Sequence, residues 1–314
     1  MKIAILDAAT LGEDINLEPI RAVGQTSEYA TTAPEQVFER LLDADVAVVN
    51  KVKLNGGNLA GTPVKLICVS ATGYDNIDTE YCKANGIALC NVPGYSTDNV
   101  AQLTLAMALS LVTHLPEYNE YVANGSYSAS GVANKLTPIY HEISSLTWGV
   151  VGGGGIGGKV AHVARAMGCN VLMCRQKPDD QYEQVSIDEL CERADIISLH
   201  VPLNDSTRGM ISRERIGKMK KNAIVINVAR GAVTDEEALT QAIENGQIAG
   251  LGVDVYSVEP FPQNHPFTRI LGRNNVCFTP HMAWGSSEAR NRCVRMMAEN
   301  MKSFLEGGNK NRIV

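Results

Sequence analysis

Residues 147–175, TWGVVGGGGIGGKVAHVARAMGCNVLMCR, constrain this chain more tightly than any other stretch. Trp148 to Val151 is a short apolar run that reads as a buried strand, and Gly152 to Gly155 follow at once. Ile156, Val160, Val163, Ala164 and Met167 then fall on one face of a helix, which Gly168 ends. Val171 to Cys174 read as the next strand. A glycine turn between strand and helix is the context in which GxGxxG holds a dinucleotide. The first glycine allows the turn, the second lets backbone approach a pyrophosphate, and the third lets helix pack on strand. The pyrophosphate then lies on the unpaired N–H groups at the helix start. Two registers fit, Gly152/Gly154/Gly157 and Gly153/Gly155/Gly158. The first is preferred, because Gly152 directly follows the strand and Ile156 then faces the core.

The alternation of strand and helix extends over the whole chain. Strands are expected at 2–7, 45–50, 64–69 and 87–90, with helices at 32–42 and 79–85. A parallel sheet follows from that order. Pro93, Gly94 and Ser96 interrupt it, and a long apolar helix begins near Thr97 or Asp98, either a plausible N-cap. After the fingerprint, strands are expected at 195–199, 223–227, 248–253 and 276–278, which brings the second sheet to six. The last helix, 287–305, comes after that sheet is complete and is expected to return to the first domain. The fold expected is therefore α/β with two doubly wound domains. A Rossmann coenzyme domain, 97–285, is inserted into a flavodoxin-like substrate domain made of 1–96 plus 286–314. At 314 residues the chain suits two cores.

Bulk properties exclude several classes. A formal net charge of −6 lacks the basic face of a nucleic-acid binder. No apolar run approaches the ~20 residues of a membrane span. The eight cysteines form no CxxC pair, and Cys68, Cys90, Cys174 and Cys277 lie in apolar strands, as reduced core cysteines do. A cytoplasmic, metal-free protein is expected.

Polar residues gather where strands of the second sheet end, which is where ligands bind in open parallel sheets. Asn227 to Gly231 follows one strand, Asp254 another, and Thr279-Pro280-His281 the last, with Glu259 in the loop 256–262. An arginine, a carboxylate and a histidine thus converge on one rim. ADIISLHVPLNDSTRGMI (194–211), INVARGAVTDEEAL (226–239), GLGVDVYSVEP (250–260) and TPHMAWGSSEA (279–289) resemble the D-isomer-specific 2-hydroxyacid dehydrogenase family. ATGYDNID (71–78) and NVPGYSTDNVAQ (91–102) extend the likeness to the first domain, and the hinge string, with its Gln102, is most similar to glycerate dehydrogenases (hydroxypyruvate reductases).

The resemblance implies that Arg230, Glu259 and His281 are catalytic. A guanidinium fork can hold the carboxylate and carbonyl of a 2-oxo acid. Hydride arriving at the carbonyl carbon leaves charge on oxygen, which an imidazolium can protonate. A carboxylate on the far ring nitrogen fixes the tautomer. It further implies that the Thr72 and Gly73 N–H groups hold the substrate carboxylate, beside Arg230 and His281. Asp254 resembles the residue that meets the nicotinamide carboxamide. Val201, Pro202 and Thr207 line the adenosine and phosphate side. Gly155, Ile156, Val228, Ala229 and Thr97 complete the cofactor contacts. At the end of the second strand, where relatives that use NAD carry an acid, this chain has Arg175. A guanidinium can pair with the 2′-phosphate of NADP, so NADP(H) is expected over NAD(H), although Asp179 and Asp180 offset part of the attraction.

The expected reaction is reversible reduction of a small 2-oxo acid, hydroxypyruvate or glyoxylate first. A D-lactate-type or bulkier 2-oxo acid is the near alternative, and a dinucleotide-sensing, corepressor-like scaffold the distant one. A homodimer is expected, with residues 112–145 as its arm. His200 is expected to pack in the core or behind the site, His265 to be solvent-exposed, and Trp284 either to cap the pocket or to pack under the last helix.

Overall fold

Every pairing between named strands in the computed structural model, which describes residues 1–177 and 180–314, is parallel. The chain divides into two units, Met1–Ser96 with Gly285–Val314, and Thr97–Trp284. The first unit holds β1 (Lys2–Ile5), β2 (Gln25–Glu28), β3 (Val46–Val49), β4 (Leu66–Val69) and β5 (Ala88–Cys90), in the order β2-β1-β3-β4-β5. That is the flavodoxin-like order. β3 and β4, VAVV and LICV, are buried at every position, as strands covered on both faces must be. β2, QTSE, is an almost wholly exposed edge strand, absent from the sequence expectation because it has no apolar residue to mark it. The expected helix at 32–42 is a 3₁₀ turn, Pro34–Gln36, followed by a helix Val37–Leu41.

The helix Ser287–Leu305 belongs to this unit and buries Ala289, Cys293, Val294, Met297, Ala298 and Met301 along one stripe. Each larger apolar side chain so buried contributes about 1.5–3 kcal/mol. Asn300, also buried, donates from Nδ2 to the Asn91 carbonyl at 2.8 Å. The chain end then borders β5, where the Ile313 N–H donates to the Leu89 carbonyl at 2.7 Å.

In the second unit β6 (Thr147–Val151), β7 (Asn170–Cys174), β8 (Glu183–Gln184), β9 (Ile196–Leu199), β10 (Ile224–Asn227), β11 (Gly250–Val253) and β12 (Val276–Phe278) run in the order β12-β11-β10-β9-β6-β7-β8. The sheet has seven strands where six are counted from the sequence; the addition is β8, two polar residues on the edge. Helices Thr97–Val112 and Gly155–Ala166 cover one face, burying Met107, Leu111, Val160 and Ala164 with Trp148. The Trp148 indole N–H donates to Ser198 Oγ at 2.9 Å, so the ring is buried without an orphaned donor. Helices Ile187–Arg193, Arg213–Lys218 and Glu236–Glu244 cover the other face around Leu190, Ile216 and Leu239. Strand order reverses between β6 and β9, which opens a crevice beyond their carboxyl ends.

Candidate active site

The glycine turn closes β6 at this switch point. Gly152 has φ +99°, and a Cβ there would lie 2.6 Å from the His200 carbonyl oxygen. A Cβ on Gly157 would stand 1.9 Å from the Gly152 oxygen, whereas one on Gly158 would meet nothing within 4 Å. The backbone therefore uses the 152/154/157 register. Gly154 is exposed with open space beside it and precedes the helix that starts at Gly155. The first N–H groups of that helix, Gly155 to Gly157, point out of its N-terminus. Such a cradle fits a pyrophosphate. Ile156 is half-buried against the core that contains Val160.

Of the other expected cofactor contacts, Val201, Thr97 and Arg175 border the turn. Val201 Cγ1 would be 3.0 Å from a Cβ on Gly152, and Thr97 Oγ1 3.4 Å from one on Gly155. Thr97 is the first residue of its helix, so neither it nor Asp98 caps it; Asp98 instead pairs with Lys159 at 3.3 Å. The Arg175 side chain lies over Gly153, where a Cβ would be 2.6 Å from its Cδ, and its Nε donates to the Lys177 carbonyl. Asp180 is exposed; Asp179 lies outside the described residues. Thr207 is buried, donating from Oγ1 to the Pro202 carbonyl at 2.6 Å while accepting from the Asn204 N–H at 2.9 Å, so its hydroxyl proton is spent on its own loop. Pro202 is exposed, and Val228 and Ala229 are buried at the end of β10.

Within the second unit Glu259 pairs with His281, and the loop that carries Arg230 lies against the loop that carries Glu259. Arg230 follows β10; Asn227 donates from Nδ2 to the Arg230 carbonyl at 2.9 Å and accepts the Ala229 N–H at 3.0 Å. The guanidinium donates from Nη1 to the Ala229 carbonyl at 2.8 Å, and the residue is half-buried. Gly231 lies flat against the next loop, since a Cβ would fall 2.1 Å from Ser257 N and from the Tyr256 carbonyl carbon. No other residue type lets the arginine loop and the glutamate loop approach so closely.

The Glu259 carboxylate takes the Tyr256 N–H on Oε1 at 3.0 Å and meets His281 Nδ1 from Oε2 at 2.6 Å. Nδ1 thus carries a proton, which the carboxylate accepts. His281 adopts φ +52°, an uncommon conformation for a side chain of its size. Its loop is held there by Asp254, whose buried carboxylate accepts Thr279 Oγ1 at 2.6 Å and the Met282 and Ala283 N–H groups at 2.8 and 3.0 Å. Burial raises the Asp254 pKa above the ordinary carboxylate value, while these donors and the nearby His281 draw it back. Tyr256 reaches the same segment, donating from its hydroxyl to the Thr279 carbonyl at 2.9 Å.

In the first unit Thr72 and Gly73 form the turn after β4. Thr72 donates from Oγ1 to the Val92 carbonyl at 3.2 Å, and its own carbonyl accepts Asn91 Nδ2 at 2.7 Å. Trp284 packs against the core of the second unit that contains Trp148.

One histidine departs from expectation, and another, His200, has its ring nitrogens buried as expected but unpaired among the described residues. His265 is not solvent-exposed: it is 6% exposed and pairs through Nε2 with Glu236 Oε2 at 3.1 Å. The proline-bearing loop folds inward because Glu236, at the start of its helix, faces the core. That orientation was legible, since Glu236 precedes Leu239, Thr240 and Ile243 at helical spacing on the buried stripe. His200 has both ring nitrogens buried without a hydrogen-bond partner among the described residues, although an edge of the residue reaches solvent. Burial lowers its pKa to about 3. Among the described residues no group of three His, Cys, Asp or Glu side chains is arranged to hold a metal, and no helix is long and apolar enough to cross a membrane.

Comparison with known proteins matches residues 105–283 to the family model described as D-isomer specific 2-hydroxyacid dehydrogenase, NAD binding domain. The chain is 34% identical to the glycerate dehydrogenase of Methylorubrum extorquens over 99% of its own length and 98% of that protein's. Among solved structures it is similar to D-lactate dehydrogenase from Aquifex aeolicus complexed with NAD and lactic acid, at TM-score 0.89 and 29% identity over 99% of both chains. It is also similar to an acyclic imino acid reductase in complex with NADPH and D-Arg, at TM-score 0.88 and 28% identity over 100% of both chains.

Proposed function

Since the chain belongs to the D-isomer-specific 2-hydroxyacid dehydrogenase family and is an oxidoreductase that uses a nicotinamide cofactor, we propose that it interconverts hydroxypyruvate or glyoxylate with the corresponding 2-hydroxy acid, preferring NADP(H). The observation that carries this reading is the Glu259–His281 pair beyond the carboxyl ends of β11 and β12, with Arg230 after β10 on the loop that Gly231 lays against Tyr256 and Ser257. When bound, the cofactor supplies or accepts the hydride at the substrate carbon. His281 gives a proton from Nε2 to the carbonyl oxygen in reduction and takes it back in oxidation. Glu259 holds the opposite ring nitrogen and stabilises the imidazolium. Arg230 anchors the substrate carboxylate and polarises the carbonyl. Thr72 and Gly73 N–H groups are the proposed carboxylate-binding turn of the first unit; among the described residues neither is given to a protein acceptor. Asp254, with three of about four acceptor positions filled, keeps one for a carboxamide N–H. The similarity to a glycerate dehydrogenase favours a substrate with a 3-hydroxyl, since oxidation of glycerate at C2 gives hydroxypyruvate.

Arg175 at the end of β7, laid over the glycine turn, supports NADP(H). A charge-assisted pair with the 2′-phosphate contributes about 1.5–3 kcal/mol, roughly a tenfold to hundredfold preference. A panel of 2-oxo acids assayed with NADPH and NADH tests both parts. Hydroxypyruvate or glyoxylate should lead, NADPH should be favoured, and Arg175→Ser should abolish that preference. Turnover of none of the acids, or equal efficiency with NADH, overturns the corresponding part.

The proposed homodimer rests on the segment 115–140, where Leu115, Val132, Leu136 and Ile139 stand 61%, 58%, 77% and 76% exposed. Clustered apolar exposure of this kind marks an interface. Light scattering on a size-exclusion column should give twice the chain mass; a monomer at micromolar concentration contradicts it. A cytoplasmic location accords with eight free cysteines, six of them buried.

A further inference from the structure

Two carboxylate–imidazole pairs grip neighbouring residues of one turn. Glu259 accepts the Tyr256 N–H at 3.0 Å and holds His281. One residue on, Glu236 accepts the Ser257 N–H on Oε1 at 2.9 Å and the Ser257 hydroxyl on Oε2, and Oε2 also meets His265 Nε2 at 3.1 Å. His265 Nδ1 accepts the Phe267 N–H at 3.3 Å, so the ring is neutral there and its proton is on Nε2, donated to Glu236. One buried negative charge therefore has three donors, and it sits at the N-terminus of the helix Glu236–Glu244, where the helix dipole favours it. The His265 ring is enclosed by Phe261 and Phe267, at centroid distances of 4.9 and 5.1 Å.

The turn so held has contacts on both sides of the reacting set. Gly231, next to Arg230, lies against the Tyr256–Ser257 backbone with no room for a Cβ. Tyr256 gives its N–H to Glu259 and its hydroxyl to the Thr279 carbonyl, two residues before His281. Ser257 and Tyr256 thus border the segments that carry the arginine, the glutamate and the histidine.

We propose that Glu236 and His265 are positioning residues for the reaction, a buried carboxylate–imidazole clamp on the exposed Ser257 that sets Glu259 against His281 and Arg230 beside them. The inference rests on the catalytic reading of those three residues given above. Glu236→Gln keeps the shape but places an amide N–H₂ among groups that are all donors, and leaves at least one of them unmatched. Small displacements of reacting groups cost catalysis steeply. In the full-length enzyme with hydroxypyruvate, Glu236→Gln should lower kcat about tenfold. KM for the cofactor should change less than twofold, since the glycine turn is elsewhere, and the pH profile of kcat should move.

A double-mutant cycle separates positioning from a general loss of structure. If Glu236 acts through Glu259, Glu236→Gln should add little loss to a Glu259→Gln background; fully additive losses would overturn the proposal. Unchanged kcat and an unmoved pH profile would also overturn it. Should Glu236→Gln fail to fold, Ser257→Ala, which removes only one donor from the clamp, carries the same cycle and the same criteria. A wild-type enzyme inactive on every 2-oxo acid would sink the functional reading instead, whereas an active wild type with additive losses sinks this one alone.

Discussion

The Glu259–His281 and Glu236–His265 pairs have the same chemistry and different exposure. By side chain, the first pair is 23% exposed at His281 and 27% at Glu259; the second is 5% exposed at His265 and 9% at Glu236. A group that exchanges a proton with substrate must be reachable by it, and a group that holds backbone in place must not compete with water. On the proposed roles, access more than pairing separates the reacting histidine from the holding one. His200 makes a third case, an imidazole with buried nitrogens and no carboxylate, whose pKa falls to about 3 because nothing compensates its charged form.

The sharpest attempt to break this distinction is to remove each ring in turn. His281→Asn should lower kcat by ~10²–10⁴-fold, the usual contribution of a positioned general acid or base. His265→Asn, which leaves the proton donor present, should cost far less. Glu259→Gln should fall between them, and steady-state rates on hydroxypyruvate rank all three. Equal losses at His281 and His265 would erase the difference drawn from exposure.

A smaller effect tests His200 through stability. Its folded pKa lies below the ordinary histidine value of 6.5, so between pH 6.5 and about 3 the unfolded chain binds the extra proton. The contribution is fully present above pH 6.5 and is lost as pH falls toward 3, by at most about 1.4 kcal/mol per pH unit. His200→Leu should flatten that slope. Thermal melts of the two proteins from pH 7 to pH 4.5 should diverge in favour of the variant; parallel curves would show that the His200 ring is solvated.

Much of the fold was legible because parallel strands covered on both faces are nearly continuous apolar runs, as at VAVV and LICV. The same rule hides edges, which is why Gln25–Glu28 and Glu183–Gln184 carry no signal: an edge strand pairs through backbone alone and can be entirely polar. The glycine register was legible because only one set of spacings follows the strand directly, and the missing space at Gly157 is its physical counterpart. At the rim, sequence order shows that Arg230, Glu259 and His281 follow successive strands, but not that Gly231 lies against Ser257 and so brings their loops together. His265 was misjudged because its burial depends on Glu236, 29 residues earlier, and a proline-bearing loop reads as surface until its partner is known.

The interruption of the first unit by the second also bears on synthesis. The helix Ser287–Leu305 and the residues that border β5 are made after the second unit. Domains generally fold as units as they emerge, the N-terminal one first. Here the order is inverted, because the inserted unit, ending at Trp284, is whole before its host has received its final helix. The nascent first unit must wait, with the groove meant for Met297 and Met301 uncovered, while nearly two hundred residues are added behind it.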